Sequence, residues 1–196
     1  MRVIRLFAFK IQFDFSASIW YILCNCKACW EEYLRVIRKT EKGDMPCVIA
    51  IYQYAREQMR LGGNPHQWYD RFPTENTVLE DVQRGNSYVI ETDGVICGVF
   101  AFIIGEDPTY KEIAGQWKND EPYGTIHRLA SSGKERGIFR QCLQYCESKV
   151  ANIRIDTHRD NKIMQHLIQK NGFDWCGIIY VNDGSERLAY QKVVAK

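Results

Sequence analysis

From residue 33 onward, the alternation of hydrophobic and polar positions divides the chain into short strands separated by helices. Runs with a period of two predict half-buried strands, and apolar residues that recur every three or four positions predict amphipathic helices. Asp93-Gly94 is typical of a two-residue hairpin turn between two of the strands. The predicted strands cover residues 33–39, 87–92, 95–104, 125–130, 152–157, 174–181 and 186–193.

Helices fill the longer intervals between these strands. The first is predicted to begin at Pro46, because proline is favoured in a first helical turn, and to end at Gly62-Gly63. The second is capped by Thr74, and two more are predicted over residues 137–149 and 161–170. The resulting order of strand, two helices, three strands, helix, strand, helix and two strands predicts a single α/β domain.

Two motifs carry a resemblance to a known family. The first runs Ile126-His127-Arg128-Leu129-Ala130 and continues as Lys134-Glu135-Arg136-Gly137-Ile138-Phe139, a strand that leads through a glycine-containing loop into a helix. The second runs from Asp156-Thr157-His158-Arg159-Asp160-Asn161 through Met164 and Leu167 to Lys170-Asn171-Gly172-Phe173. In this order of elements the two motifs resemble the GNAT superfamily of N-acyltransferases, over roughly residues 34–193.

The resemblance implies a mixed central sheet of about six or seven strands flanked by about four helices. In such a fold the strand at 125–130 splays from the strand at 152–157, and acetyl-CoA, the acyl-donor cosubstrate, binds in the gap. Its pyrophosphate needs backbone N–H groups and the positive end of a helix, with glycine where a side chain would block the approach. Lys134 and Phe139 depart from the family pattern, which has Arg or Gln and a small residue there. The residues implied to bind acetyl-CoA are Leu129, Ala130, Ser131, Lys134, Glu135, Arg136, Gly137, Ile138 and Asn161.

The same resemblance implies N-acetyl transfer, in which a primary amine attacks the thioester carbonyl directly. The amine must first lose a proton, and the thiolate can leave with or without one. Ile168 stands where many family members have a tyrosine as the acid. We take His127, His158 and Tyr180 as candidate catalytic residues, because imidazole titrates near neutral pH and all three fall on or just after neighbouring strands. A histidine in a strand is more often a hydrogen-bonded structural residue, and catalysis by positioning and oxyanion stabilisation alone is an equally credible alternative.

The acceptor pocket is expected to form from the loop at 64–72 and the segment at 106–123. This segment contains aromatic and acidic side chains that would suit a cationic amine, although the aromatic ones can equally pack beneath it. Small-molecule amines, amino acids and peptide amines all remain open as acceptors. The residues concerned are Tyr110, Trp117, Asp120, Glu121 and Tyr123.

Two other functions are alternatives to acetyl transfer. Phe139 in the phosphate loop and Ile168 at the acid position are compatible with a non-catalytic acyl-CoA-binding module. A nucleotide-binding fold is disfavoured, since neither Gly-X-Gly-X-X-Gly nor a Gly-Lys-Ser/Thr loop occurs.

The composition of the chain indicates where the protein is located and which partners it is expected to bind. The chain has 196 residues with 26 basic and 24 acidic side chains, a balance that does not predict nucleic-acid binding. Beyond residue 30 the cysteines lie singly or at helical spacing, which indicates reduced thiols and a cytoplasmic protein. Cys142 and Cys146, one helical turn apart, are expected to pack in the core, and no metal is predicted. A homodimer is left open.

The first 33 residues do not share the pattern of the rest. Arg2 and Arg5 precede a hydrophobic run that resembles a leader, but Lys10 and Asp14 interrupt it. The uncharged stretch at 15–26 is shorter than the ~20 residues that span a bilayer, so no membrane anchor is predicted. Three cysteines at 24, 26 and 29 lack a fourth zinc ligand nearby. We expect residues 1–33 to be an extension from an upstream start codon, and residues 34–196 to form the GNAT domain.

Overall fold

The computed structural model describes residues 35–68 and 71–194. The predicted extension at 1–33, with its leader-like run and its three clustered cysteines, lies outside the described residues. Val36–Lys196 forms a compact unit of its own.

All strands of this unit belong to one mixed sheet. Its order is β1-β2-β3-β5-β6-β8-β7-β4, an arrangement of eight strands. Seven of them lie where the hydrophobic pattern predicted, and the two-residue β4, which pairs with β7, is one more than expected. The bounds are β1 Arg35–Lys39, β2 Ser87–Thr92, β3 Val95–Ile104, β4 Ala114–Gly115, β5 Gly124–Ser131, β6 Asn152–Thr157, β7 Asp174–Tyr180 and β8 Glu186–Val193.

The four predicted helices are present, with short 3-10 turns at Lys42–Asp44 and Pro108–Tyr110. Thr74 Oγ1 accepts a hydrogen bond from the Thr77 N–H, and Asn161 Oδ1 accepts one from the Met164 N–H, so both predicted N-caps are confirmed. The helices are α1 Met45–Leu61, α2 Glu75–Gln83, α3 Ile138–Glu147 and α4 Lys162–Lys170.

Strands β5 and β6 run parallel but stay paired over only part of their length. Their register extends from Gly124 opposite Ile153 to Ile126 opposite Ile155. Both strands then continue without a shared register, β5 as far as Ser131 and β6 as far as Thr157. The predicted splay of the central strands is therefore present.

The two faces of the sheet are covered differently. Ile153 and Ile155 of β6 pack with α3 and α4 in the largest core cluster, which also buries Cys142 and Cys146 as predicted. Because side chains alternate across a strand, Arg154 and Asp156 face the opposite side. On that side α1 and α2 cover β2, β3 and β5, and the segment at 106–123 packs on β7 and β8.

Three further features concern membrane helices, metal ligands and cysteines. In the described part of the chain, no helix combines the length and the apolar character needed to cross a membrane. Within that same part, no three His, Cys, Asp or Glu side chains converge as metal ligands would. All five cysteines that lie there are free thiols.

Candidate active site

A cleft of about 650 Å³ opens where β5 leaves β6, on the face covered by α3 and α4. Six of the residues implied to bind acetyl-CoA line it: Leu129, Ala130, Ser131, Glu135, Gly137 and Ile138. Lys134 and Arg136 are exposed on the same loop, while Asn161 caps α4 and does not line the cleft. Arg140 on α3 and Lys170 on α4 add positive charge to its wall.

The loop from Ser131 to Gly137 leads directly into the N-terminus of α3. Gly137 is the N-cap of α3 and adopts a left-handed conformation with φ 79°, which a residue with a Cβ rarely tolerates. A Cβ added at Gly133 would collide with the Tyr54 hydroxyl of α1, so the loop lies close against that helix. The residues present therefore fit a pyrophosphate at the N-terminus of α3.

Two departures from the family pattern are placed in the core. Phe139 packs in the largest core cluster and contributes to the wall of the cleft. Ile168 is fully buried in the same cluster and does not line the cleft. An isoleucine has no acidic proton, so the side chain at position 168 cannot protonate a leaving thiolate.

A β-bulge shapes the edge of β5 next to the cleft. Val99 pairs with Ala130 and Ala101 with His127, so that Arg128 and Leu129 together face Phe100 of β3. Arg128 has φ 54°, a conformation that is uncommon outside glycine. Neither Arg128 nor Leu129 has a register partner on β3 or β6, which leaves this stretch of backbone outside both ladders.

An ion pair attaches the bulge to α2. The Arg128 guanidinium donates two hydrogen bonds to the Asp81 carboxylate, from Nε to Oδ2 at 2.8 Å and from Nη2 to Oδ1 at 2.7 Å. Both side chains are largely buried. Because the fork geometry fixes both groups, the pair holds the strained backbone of Arg128 in one conformation.

His127 directly follows Ile126, the last residue of β5 that pairs with β6, and its side chain lies on the opposite face from α3 and α4. Its Nε2 atom lies 2.7 Å from Asp107 Oδ2. Asp107 Oδ1 accepts hydrogen bonds from the backbone N–H and the hydroxyl of Thr109. Burial by itself would raise the pKa of Asp107, but the hydrogen bonds from His127 and Thr109 outweigh it and lower that pKa to about 2.

Asp156 of β6 and Tyr110 complete this polar cluster. The Tyr110 hydroxyl donates to Asp156 Oδ1 at 2.6 Å, and His127 Nδ1 lies 3.9 Å from the same oxygen. Arg187 Nε lies 3.9 Å from Asp156 Oδ2. Burial, together with the adjacent Asp156 carboxylate, raises the pKa of Tyr110 well above its usual value, so the phenol stays protonated.

The other two candidate catalytic residues have different surroundings. His158 follows β6, and its Nδ1 atom accepts a hydrogen bond from the Asp160 N–H. Burial, and then the nearby charge of Arg187, lowers the pKa of His158 and favours its neutral form. Tyr180 is exposed at the end of β7 opposite Glu186, and no contact in the described residues joins its hydroxyl to His127. The structure thus brings His127, and not Tyr180, to the opening between β5 and β6.

The aromatic rings of the segment at 106–123 pack against protein. Tyr110 and Tyr123 are buried, and Trp117 stacks on Tyr110 with ring centres 5.5 Å apart. The guanidinium of buried Arg154 lies 4.0 Å from the Trp117 ring centre and 3.8 Å from that of Tyr123. These rings therefore pack beneath the segment, which was one of the two alternatives, the other being that they line an acceptor pocket. Asp120 and Glu121 are exposed.

The loop after α1 reaches the start of α4. Gln67 Oε1 accepts hydrogen bonds from Asn64 Nδ2 at 2.9 Å and from Asn161 Nδ2 at 2.8 Å. Asn161 therefore acts as both helix cap and bridge to this loop. These contacts carry the loop to the residues that follow β6, next to the open end of the splay.

Sequence reasoning missed Asp107 and Arg187, and it noted Asp156 only as part of a motif. Asp107 is separated from His127 by 20 positions, and no short-range pattern links the two. The only local signal was Asp107-Pro108-Thr109, in which an aspartate before Pro-Thr is typical of a capped turn.

Known proteins of similar fold identify the family of this chain. No family model matches the sequence, and no curated protein matches it. Among solved structures, a GNAT family acetyltransferase from Streptococcus agalactiae is 30% identical, with 83% of this chain and 96% of that chain covered and a TM-score of 0.75. The chain therefore belongs to the GNAT family of acetyltransferases.

Two further structures share the fold at lower identity. The ribosomal-protein-S18-alanine N-acetyltransferase from Escherichia coli is 14% identical over 83% of this chain and 95% of that chain, with a TM-score of 0.53. An acetyl transferase from Salmonella typhimurium, which modifies the N-terminal serine of a 50S ribosomal subunit protein, is 18% identical over 83% and 96%, with a TM-score of 0.56.

Proposed function

We propose that this protein transfers an acetyl group from acetyl-CoA to a primary amine, which attacks the thioester directly. The observation that carries the proposal is the opening between β5 and β6. On one face of the sheet it leads to the cleft beside α3 and α4, and on the other it leads to the His127 cluster. A donor and an acceptor can therefore approach the same opening from opposite sides.

The donor side would be held largely by backbone. The loop around Gly137 and the positive end of α3 suit the pyrophosphate, and the free edge of β5 near Leu129 and Ser131 suits the pantetheine amides. Acetyl-CoA, when bound, supplies the activated acyl thioester. A backbone N–H of the bulge would then donate to the oxyanion that forms at the carbonyl.

On the acceptor side, His127 would act as the base. In its neutral form the ring carries its hydrogen on Nε2, facing Asp107, and so presents a lone pair on Nδ1. Asp107 would fix this tautomer and stabilise the imidazolium once the amine has given up its proton. Because position 168 provides no acid, the thiolate would leave without help from α4.

The acceptor belongs to a class that includes small-molecule amines and peptide amines. Neighbours of similar fold act on ribosomal proteins, one at an alanine and one at an N-terminal serine, which supports an N-terminal amine as one member of that class. We further propose that the reaction takes place in the cytoplasm, as the pattern of free cysteines favours.

A non-catalytic acyl-CoA-binding module is the second candidate function. Burial of Ile168 at the position of the usual acid favours it, because a binding module has no need of an acid there. Under this alternative the cleft would hold acyl-CoA, and no amine would be acetylated.

Calorimetric titration of acetyl-CoA into the full chain, paired with a CoA thiol-release assay, tests the proposal. We expect micromolar binding that Gly137→Trp abolishes and that Gly43→Trp leaves unchanged, since a Cβ at Gly43 meets no atom within 4 Å. Thiol release that depends on an added amine would establish transfer. Tight binding without transfer to any amine would favour the binding module, and absence of binding would contradict both functions.

A further inference from the structure

Asp156 occupies a position from which it can contact the acceptor. It lies on β6 just beyond the last residue that pairs with β5, on the face opposite α3 and α4. Its side chain is 13% exposed, so the carboxylate is mostly shielded from water without being sealed from it. This places a carboxylate at the acceptor side of the opening.

The two oxygens of this carboxylate are used differently. Oδ1 accepts the hydrogen bond from the buried Tyr110 hydroxyl, which fixes the orientation of the group. Oδ2 accepts no hydrogen bond from any described residue, and its nearest cation, Arg187 Nε, is 3.9 Å away, beyond hydrogen-bond distance. A shielded carboxylate oxygen without a donor is suited to receive one from a ligand.

The balance of charge around the opening also suits a cation. Asp107 and Asp156 carry two negative charges against the single positive charge of Arg187, when His127 is neutral. His158 nearby is held neutral by its lowered pKa, and the charges of Arg159 and Glu186 are paired with each other. Asp107, Asp156 and Arg187 together therefore carry one net negative charge, which a bound cation would neutralise.

His127 supplies the second half of the arrangement. Its Nδ1 atom, which bears the lone pair when Nε2 faces Asp107, lies 3.9 Å from Asp156 Oδ1. The nitrogen of a bound ammonium ion could donate one hydrogen bond to Asp156 and a second one to His127 Nδ1. The two groups together would hold an ammonium ion and accept a proton from it.

We infer that Asp156 binds the acceptor as an alkylammonium ion and presents it to His127, so that this carboxylate makes the enzyme favour charged amines over neutral ones. The inference rests on the proposed acetyl transfer. One proton passes from the ammonium to His127 Nδ1 and then to solvent, and the nitrogen lone pair forms the new N–C bond. The C–S bond breaks, its electron pair leaves with sulfur, and the second proton of the nitrogen ends on the CoA thiol.

Asp156→Asn tests the inference, because the amide oxygen still accepts from Tyr110 while the negative charge is lost. The probes are n-butylamine, which is an ammonium ion at neutral pH, and methoxyamine, which is not. We expect kcat/KM for n-butylamine to fall by roughly 10- to 100-fold, the worth of a hydrogen bond to a charged group, and kcat/KM for methoxyamine to fall by less than about threefold. The KM for acetyl-CoA should not change.

Asp93→Asn is the matched control, since it makes the same charge change in an exposed hairpin turn that accepts asparagine equally well. It should leave both probes unaffected. Equal losses for the two probes in Asp156→Asn, or no loss for either, would overturn the inference.

A binding measurement separates this inference from the proposed function. In the full chain with CoA, n-butylamine should shift the His127 ring resonances in a saturable way, and Asp156→Asn should remove the saturation. If this binding occurs while no amine is acetylated, the proposed function fails and the ammonium site stands. If the ring resonances of the unaltered protein do not respond, the ammonium site is wrong whatever the activity.

Discussion

The two sides of the β5–β6 opening are built in contrasting ways. The donor side consists of one strand, loop and helix that are continuous from Leu129 to Arg140, closed by α4. The acceptor side brings together Asp107, His127, Asp156 and Arg187 from four separate parts of the chain. Under the proposed function, backbone groups on the donor side would bind a ligand of constant shape, whereas side chains on the acceptor side would decide which amine enters. The two sides should therefore respond to substitution independently.

The largest difference between an effect on amine turnover and an effect on acetyl-CoA binding is expected for His127→Asn. Without the base, kcat/KM for the amine should fall by about 10²- to 10⁴-fold, while the calorimetric affinity for acetyl-CoA stays within about twofold. His158→Asn is the control and should cost less than about tenfold. Joint loss of activity and acetyl-CoA binding in His127→Asn would show that the two sides are coupled.

Arg154→Ala should be the most damaging change to the stability of the acceptor side. It removes a buried guanidinium that contacts the Trp117 and Tyr123 rings and donates to the Asn119 carbonyl oxygen. We expect the free energy of unfolding in urea to fall by about 3 kcal/mol. Arg84→Ala, at an exposed arginine, should change it by less than about 0.5 kcal/mol. A comparably small effect of Arg154→Ala would mean that the segment at 106–123 does not depend on this contact.

Asp107 should make the stability of the acceptor side depend on pH in the acidic range. Its pKa is lowered from 3.8 to about 2 on folding, so the folded state binds this proton less readily than the unfolded state. The stabilisation is therefore present above about pH 4 and is lost as pH falls toward about 2, in total about 2 kcal/mol. Between pH 5 and pH 2, the free energy of unfolding in urea should therefore fall by about 2 kcal/mol less in Asp107→Asn than in the unaltered protein. Parallel pH curves for the two proteins would contradict the lowered pKa.

The smallest effect is expected at the bulge of β5, where Arg128 meets α2. Asp81→Asn keeps one acceptor for Arg128 but loses the charge, and should lower the free energy of unfolding by about 1–2 kcal/mol. Because the bulge would be less firmly held, acetyl-CoA should also bind several-fold more weakly. Glu80→Gln, which breaks an exposed pair with Arg84 on the same helix, should do neither. Unchanged acetyl-CoA affinity in Asp81→Asn would show that the bulge holds its shape without the ion pair.

The same contrast explains which features of the molecule could be predicted from the sequence. The loop at Gly137 and the cap at Asn161 were predictable, because their residues are neighbours in the chain and their roles follow from backbone geometry. Strand β4 was missed because Ala114-Gly115 is too short to show an alternating pattern. Its pairing depends on Gly177 of β7 lying opposite Gly115, where a Cβ on either residue would strike backbone atoms of the other strand.

Local sequence patterns are enough to give the α/β order, most element bounds, the family and the glycine-containing loop before α3, since each depends on interactions over a few residues or on a contiguous motif. Only the tertiary structure decided which side chains meet on the acceptor side. It joined Asp107 to His127, turned Tyr110 toward Asp156 and buried Trp117 and Tyr123 around Arg154. Those contacts depend on how distant strands are placed side by side and on which face each side chain points to, and a local pattern contains neither.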